Sequence, residues 1–142
     1  AILDAMLEER LAQTPRDALD WSGLFTDFAA GRREDAEAIA ELAVDNFVEM
    51  RDRVGDPRFL LQKAVEVELL RRFPGRAVGR YGLVTFSRVP YRVAREAGVL
   101  MDDVLARLCE GIDSVAQLDL AEAEQLLDAE VVPFLERSGV RL

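Results

Sequence analysis

The chain has 142 residues, 50% of them hydrophobic and 32% charged, which suits one globular domain with a core of its own. Histidine is absent and Cys109 is the single cysteine, which excludes Ser-His-Asp and Cys-His nucleophiles, histidine zinc sites and an internal disulfide, and suits a reducing, cytoplasmic compartment. A net charge of −9 opposes general affinity for nucleic acid or anionic lipid, and no run approaches the roughly 20 apolar residues of a membrane span.

The N-terminal residues carry no basic leader, and Ile2, Leu3, Met6, Leu7 and Leu11 already fall at helical spacing. The sequence therefore reads as starting inside an amphipathic helix of something longer. This first helix is expected from Ile2 to Gln13. Thr14-Pro15-Arg16-Asp17 then reads as a helix start, and the second helix turns Leu19, Leu24, Phe25 and Phe28 inward before Gly31 ends it. A third helix, from Asp35 to Val54, carries an apolar stripe of Ile39, Leu42, Ala43, Phe47, Met50 and Val54. Asp56-Pro57 caps a fourth helix that Pro74-Gly75 closes after Phe73. Residues 76–90 mix β-branched residues with Gly79, Gly82 and Pro90, and read as an extended loop or short strand. Helix returns at Tyr91–Ala97, at Leu100–Glu110, and from Leu120, where Asp119 and Glu122 form a cap pair and Pro133 ends or kinks the helix. The expected fold is mainly α: a bundle-like single domain over residues 1–142 with about six to seven helices.

Few features carry chemistry. The stretch from Gly75 to Gly82 has neither Gly-x-Gly-x-x-Gly spacing nor a strand before it, so the chain alone is expected to bind no dinucleotide. On the third helix, a count of about 100° per residue places Asn46 in the middle of the apolar stripe. A buried amide without partners costs about 1–3 kcal/mol, so either a loop backbone satisfies Asn46 or it faces a polar pocket and a ligand. Between Leu69 and Arg95 stand seven arginines and no acid, which leaves −16 on the rest of the chain. Three outcomes are open for that segment: packing against the acidic helices, facing an acidic surface or anionic ligand, or contacting nucleic acid, which the surrounding acidity disfavours. Tyr81 lies within it, as a packed or lid residue or as a ligand contact. Adjacent acids such as Asp102-Asp103 diverge on a helix and read as solvated, and Cys109 as a buried, inert thiol. No residue set reads as a metal site or as a catalytic group.

The run Ala38-Ile39-Ala40-Glu41-Leu42-Ala43-Val44-Asp45-Asn46-Phe47-Val48-Glu49-Met50-Arg51-Asp52, then Asp56-Pro57-Arg58-Phe59-Leu60-Leu61-Gln62-Lys63, and the phrase Arg80-Tyr81-Gly82-Leu83-Val84-Thr85-Phe86-Ser87-Arg88-Val89-Pro90-Tyr91 closely resemble the C-terminal part of the kynurenine 3-monooxygenase family, in its soluble bacterial form. The resemblance runs from Ile2 to Pro133. It implies an FAD- and NADPH-dependent hydroxylase that converts L-kynurenine to 3-hydroxykynurenine, with no membrane tail. It also implies that Asn46 and Tyr81 hold the amino-acid end of the substrate, with Thr85 and Phe86 near the same pocket. Gly82 departs from the family, where Ser or Thr is common. The flavin motifs and the rest of the substrate clamp would precede Ala1, in an N-terminal flavin-binding domain that is this segment's partner. The expected role is therefore a helical lid and half a pocket, inactive by itself. A free-standing helical interaction module is the competing reading.

Overall fold

The structure, a computed structural model, describes residues 2–140. It is helical throughout, and no strand occurs among the described residues. The helices are α1 (Ile2–Leu11), α2 (Trp21–Val48), α3 (Pro57–Arg72), α4 (Arg80–Phe86), α5 (Tyr91–Leu108), α6 (Leu120–Leu126) and α7 (Val132–Arg137). The backbone divides into two compact units, Ala1–Glu37 and Ala38–Leu142, with α2 passing from one to the other.

In the first unit Thr14-Pro15 opens only a short 3-10 turn, Arg16–Ala18. Helix α2 starts later, where the Asp20 carboxylate accepts the Gly23 N–H at 2.9 Å, so Asp20 rather than Thr14 supplies the cap. The helix then continues through Gly31, where a stop was expected. A mid-helix glycine costs about 1 kcal/mol against alanine, which the surrounding turns of helix absorb. Leu19 and Leu24 are buried as expected, whereas Phe25 is 52% exposed. Arg10 of α1 pairs with Asp27 of α2.

The second unit is organised around α5. Its residues Ala94, Ala97, Met101, Val104, Leu105 and Leu108 recur at helical spacing and are buried with Val65 and Leu69 of α3, Leu83 of α4, and Leu127, Val131 and Leu135 from the C-terminal helices. Removing a leucine-sized side chain from water contributes about 1.5–3 kcal/mol, so this shared surface is what fixes α4 on α5. The same packing explains two corrections. Residues 76–90 are not an extended loop or strand: α4 occupies Arg80–Phe86, because Leu83 must reach the core, while the flanking residues remain non-helical. Tyr91–Leu108 is one helix without a break, since Gly98 is itself buried in the contact with α4. The Asp56 and Asp119 caps form as expected, Asp56 accepting from the Arg58 N–H and Asp119 from those of Ala121 and Glu122.

Two π-helical turns interrupt the helices. Glu49–Arg53 extends the end of α2, and Leu127–Val131 joins α6 to α7. In the second, the Val132 N–H donates to the Leu127 carbonyl five residues back. This wider turn lets the chain pass through Pro133, which sits in the first turn of α7 instead of ending the helix. No helix among the described residues is long and apolar enough to cross a membrane.

Candidate functional site

Three of the four expected site residues share α4. Tyr81 and Thr85 stand one turn apart on the same face, and Phe86 lies beyond them at the helix end. Thr85 is exposed, and Phe86 is 89% exposed. Phe86 borders an open groove of about 280 Å³ with Leu70, Pro74, Gly79, Gly82 and Leu83.

Tyr81 is half-buried, and its enclosed hydroxyl meets no hydrogen-bond acceptor, the Arg80 guanidinium that approaches it being itself a donor. Burial pushes the phenol above its ordinary pKa; the Glu49 carboxylate adds to the shift and the Arg80 guanidinium opposes it. A buried O–H left unpaired costs free energy that a hydrogen-bonding ligand would recover.

Asn46 lies near the end of α2, three residues before the π-helical turn, and it is exposed rather than buried. The apolar stripe around it is largely exposed as well: Phe47 by 60%, Met50 by 69% and Val54 by 57%, with Ala43 exposed too, while Leu42 is buried and Ile39 half-buried; Val44, beside the stripe, is 62% exposed. The stripe has the spacing of a core face, but no element of the second unit closes over Phe47, Met50 and Val54.

The segments bearing Asn46 and Tyr81 are joined one residue away from each. Arg80 places Nη1 3.2 Å from Asp45 Oδ2 and also pairs with Asp102 of α5. The Arg80 side chain is only 11% exposed. Below it, Asp45, Val48, Glu49, Arg53 and Asp102 wall a cleft of about 200 Å³. Glu49, in the π-helical turn, faces Lys63 of α3 at 3.9 Å.

The basic segment packs largely on acidic helices, the first of its three open outcomes. Arg76 bonds Glu124 and Asp128, Arg80 bonds Asp45 and Asp102, and Arg95 bonds Glu41. Arg71 and Arg72 both bond Glu68, and hold its carboxyl at about 2. The Cys109 thiol is fully buried, and that burial raises its pKa, as for an inert core thiol. No cluster suited to a metal ion occurs among the described residues. What the sequence reading missed is Arg80, which looked like one arginine among seven; its signal was Gly98, a glycine within an otherwise strong helix pattern.

No family model matches the chain. Among curated proteins it is 50% identical over 116 residues to the kynurenine 3-monooxygenase of Myxococcus xanthus, covering 82% of the chain and 25% of the relative. The chain is similar to one segment of kynurenine 3-monooxygenases. The enzyme of that name from Stenotrophomonas maltophilia is 43% identical over 126 residues, which are 89% of the chain and 28% of the relative. The one from Xanthomonas oryzae is 40% identical over 115 residues, 81% of the chain and 25% of the relative. The chain thus spans about a quarter of the length of the kynurenine 3-monooxygenases it matches.

Proposed function

We propose that the chain is the C-terminal segment of an FAD- and NADPH-dependent, cytoplasmic kynurenine 3-monooxygenase, and that it contributes half of the pocket for L-kynurenine. Identity of 40–50% to proteins of that name supports the enzyme. The enclosed, partnerless Tyr81 hydroxyl carries the site assignment, because it is a donor waiting for an acceptor.

In this reading Tyr81 and the Asn46 amide hydrogen-bond the amino-acid end of the substrate, and Thr85 and Phe86 flank it. A phenol and an amide grip a carboxylate without bringing a countercharge, and two donors from different helices fix its orientation. The described residues do not fit the flavin itself. They contain no strand, and of the glycines here Gly75 lies in a turn, Gly79 precedes α4 and Gly82 is inside it, so a dinucleotide-binding strand–turn–helix is not built here. FAD and NADPH, which supply the oxygen-activating and reducing chemistry when bound, are assigned to an N-terminal flavin-binding domain in the portion of the longer protein outside the matched quarter. The exposed Val44, Phe47, Met50 and Val54 are the surface assigned to that domain.

The test is Asn46→Asp in the full-length flavoprotein. A second carboxylate would confront that of the substrate, and the KM for kynurenine is expected to rise by about tenfold or more. An unchanged KM overturns the assignment.

A further inference from the structure

The stem of Arg80 lies across α5 at Gly98. A methyl group on Gly98 would come within 2.8 Å of Arg80 Cγ and 3.1 Å of its Cβ, the second held by the backbone, so the side chain could not keep its present course. Gly98 is therefore a notch in α5 that receives the first residue of α4. From that seat the guanidinium spans two carboxylates on different helices, Asp45 of α2 and Asp102 of α5. The fork geometry of arginine suits such a two-ended contact, which a single ammonium meets less well. With its side chain 11% exposed, this arginine is far more enclosed than Arg76 at 34% or Arg107 at 39%, whose pairs lie on the surface. The cleft beneath it holds Glu49 and Arg53 as well as the two aspartates, so loss of Arg80 would leave three carboxylates against one guanidinium.

We propose that Arg80 is a positioning residue: seated on Gly98 and tied to Asp45 and Asp102, it sets where α4 with Tyr81 stands relative to the end of α2 with Asn46. The pairing of Asn46 and Tyr81 on one substrate rests on the function proposed above; the anchoring of α4 does not. The Asp45–Arg80 tie spans the neighbours of both residues, so it fixes the spacing of the two donors without touching the ligand. A donor pair held at the wrong spacing binds its ligand as two weak contacts instead of one chelating grip.

The test uses the full-length flavoprotein with Arg80→Met and Arg80→Lys, and reads kinetics and amide hydrogen exchange together. Arg80→Met is expected to raise the KM for kynurenine about tenfold with kcat changed less than about threefold, and Arg80→Lys to recover only part of that loss. Asp45→Asn added to Arg80→Met should cost no more than about twofold further, as members of one tie are not additive. Amides of residues 80–86 should exchange about tenfold faster in Arg80→Met, with α3 and α6 unchanged. An unchanged KM alongside unchanged exchange overturns the proposal. If Tyr81→Phe and Asn46→Asp leave kynurenine binding intact, the substrate assignment fails, and the exchange of α4 decides the anchoring alone: faster exchange upholds it and unchanged exchange overturns it. Should Arg80→Met fail to fold, Arg80→Lys decides by the same measurement, with exchange of residues 80–86 about threefold faster than in the wild type upholding it and wild-type exchange overturning it.

Discussion

Arg76 places its Nη1 2.7 Å from Glu124 Oε1, tying the turn after α3 to α6 across 48 residues of sequence. The pair is open to solvent, with the two side chains 34% and 52% exposed. Exposed pairs of this kind contribute about 0.2–1 kcal/mol and are screened by salt. Arg76→Ala is therefore expected to lower stability by no more than about 1 kcal/mol, with the difference shrinking in 1 M salt. Chemical denaturation of both proteins at low and high ionic strength checks this.

The core is far less tolerant. Leu69 and Met101 are at most 2% exposed and sit where α3 and α5 meet. Truncating either to alanine is expected to cost about 2–5 kcal/mol, several times the Arg76 effect. Equilibrium unfolding monitored by helical circular dichroism measures it.

Tyr81→Phe removes the hydroxyl that has no partner in the structure. Stability should hold or rise slightly, because an enclosed unpaired donor is lost. Affinity for kynurenine in the full-length protein should fall by about tenfold, read from KM. The affinity is what separates a ligand contact from a packing residue, since phenylalanine keeps the packed ring and a packing residue would leave affinity alone.

Glu68 gives a pH dependence. Hydrogen bonds from Arg71 and Arg72 depress its carboxyl from 4.5 to about 2 in the folded chain. A depressed carboxylate favours folding at any pH above its unfolded value, and that contribution fades as pH falls from about 4.5 to about 2. The stability gap between the wild type and Glu68→Gln should therefore be constant near neutrality and narrow across that acid window. Thermal melts at stepped pH follow it.

The helix starts at Asp56 and Asp119 were legible because a cap is local chemistry: a carboxylate accepts N–H groups two or three residues away, whatever the tertiary fold. The packing of the arginine-rich segment was legible for a related reason, since opposite charges on one small chain find each other. Helix α4 was not, because Gly79, Gly82 and the β-branched residues argue against helix locally, and only the burial of Leu83 against α5 decides otherwise. Asn46 failed in the opposite sense. Its stripe has core spacing, yet Phe47 and Met50 remain exposed, and spacing alone cannot say which molecule supplies the covering surface. Tyr81 was picked out by resemblance, and no periodicity would have revealed that its hydroxyl lacks a partner.

The π-helical turn at Glu49–Arg53 holds one residue more than an α-helical turn needs. Deleting a residue there would restore a plain α-helical turn and leave Asn46 and Phe47 aimed nearly as before, because the wider turn already absorbs the extra residue. The extra residue is thus slack in the helix, and the aim of this face tolerates the loss of a residue here that it would not tolerate in a plain α-helical turn.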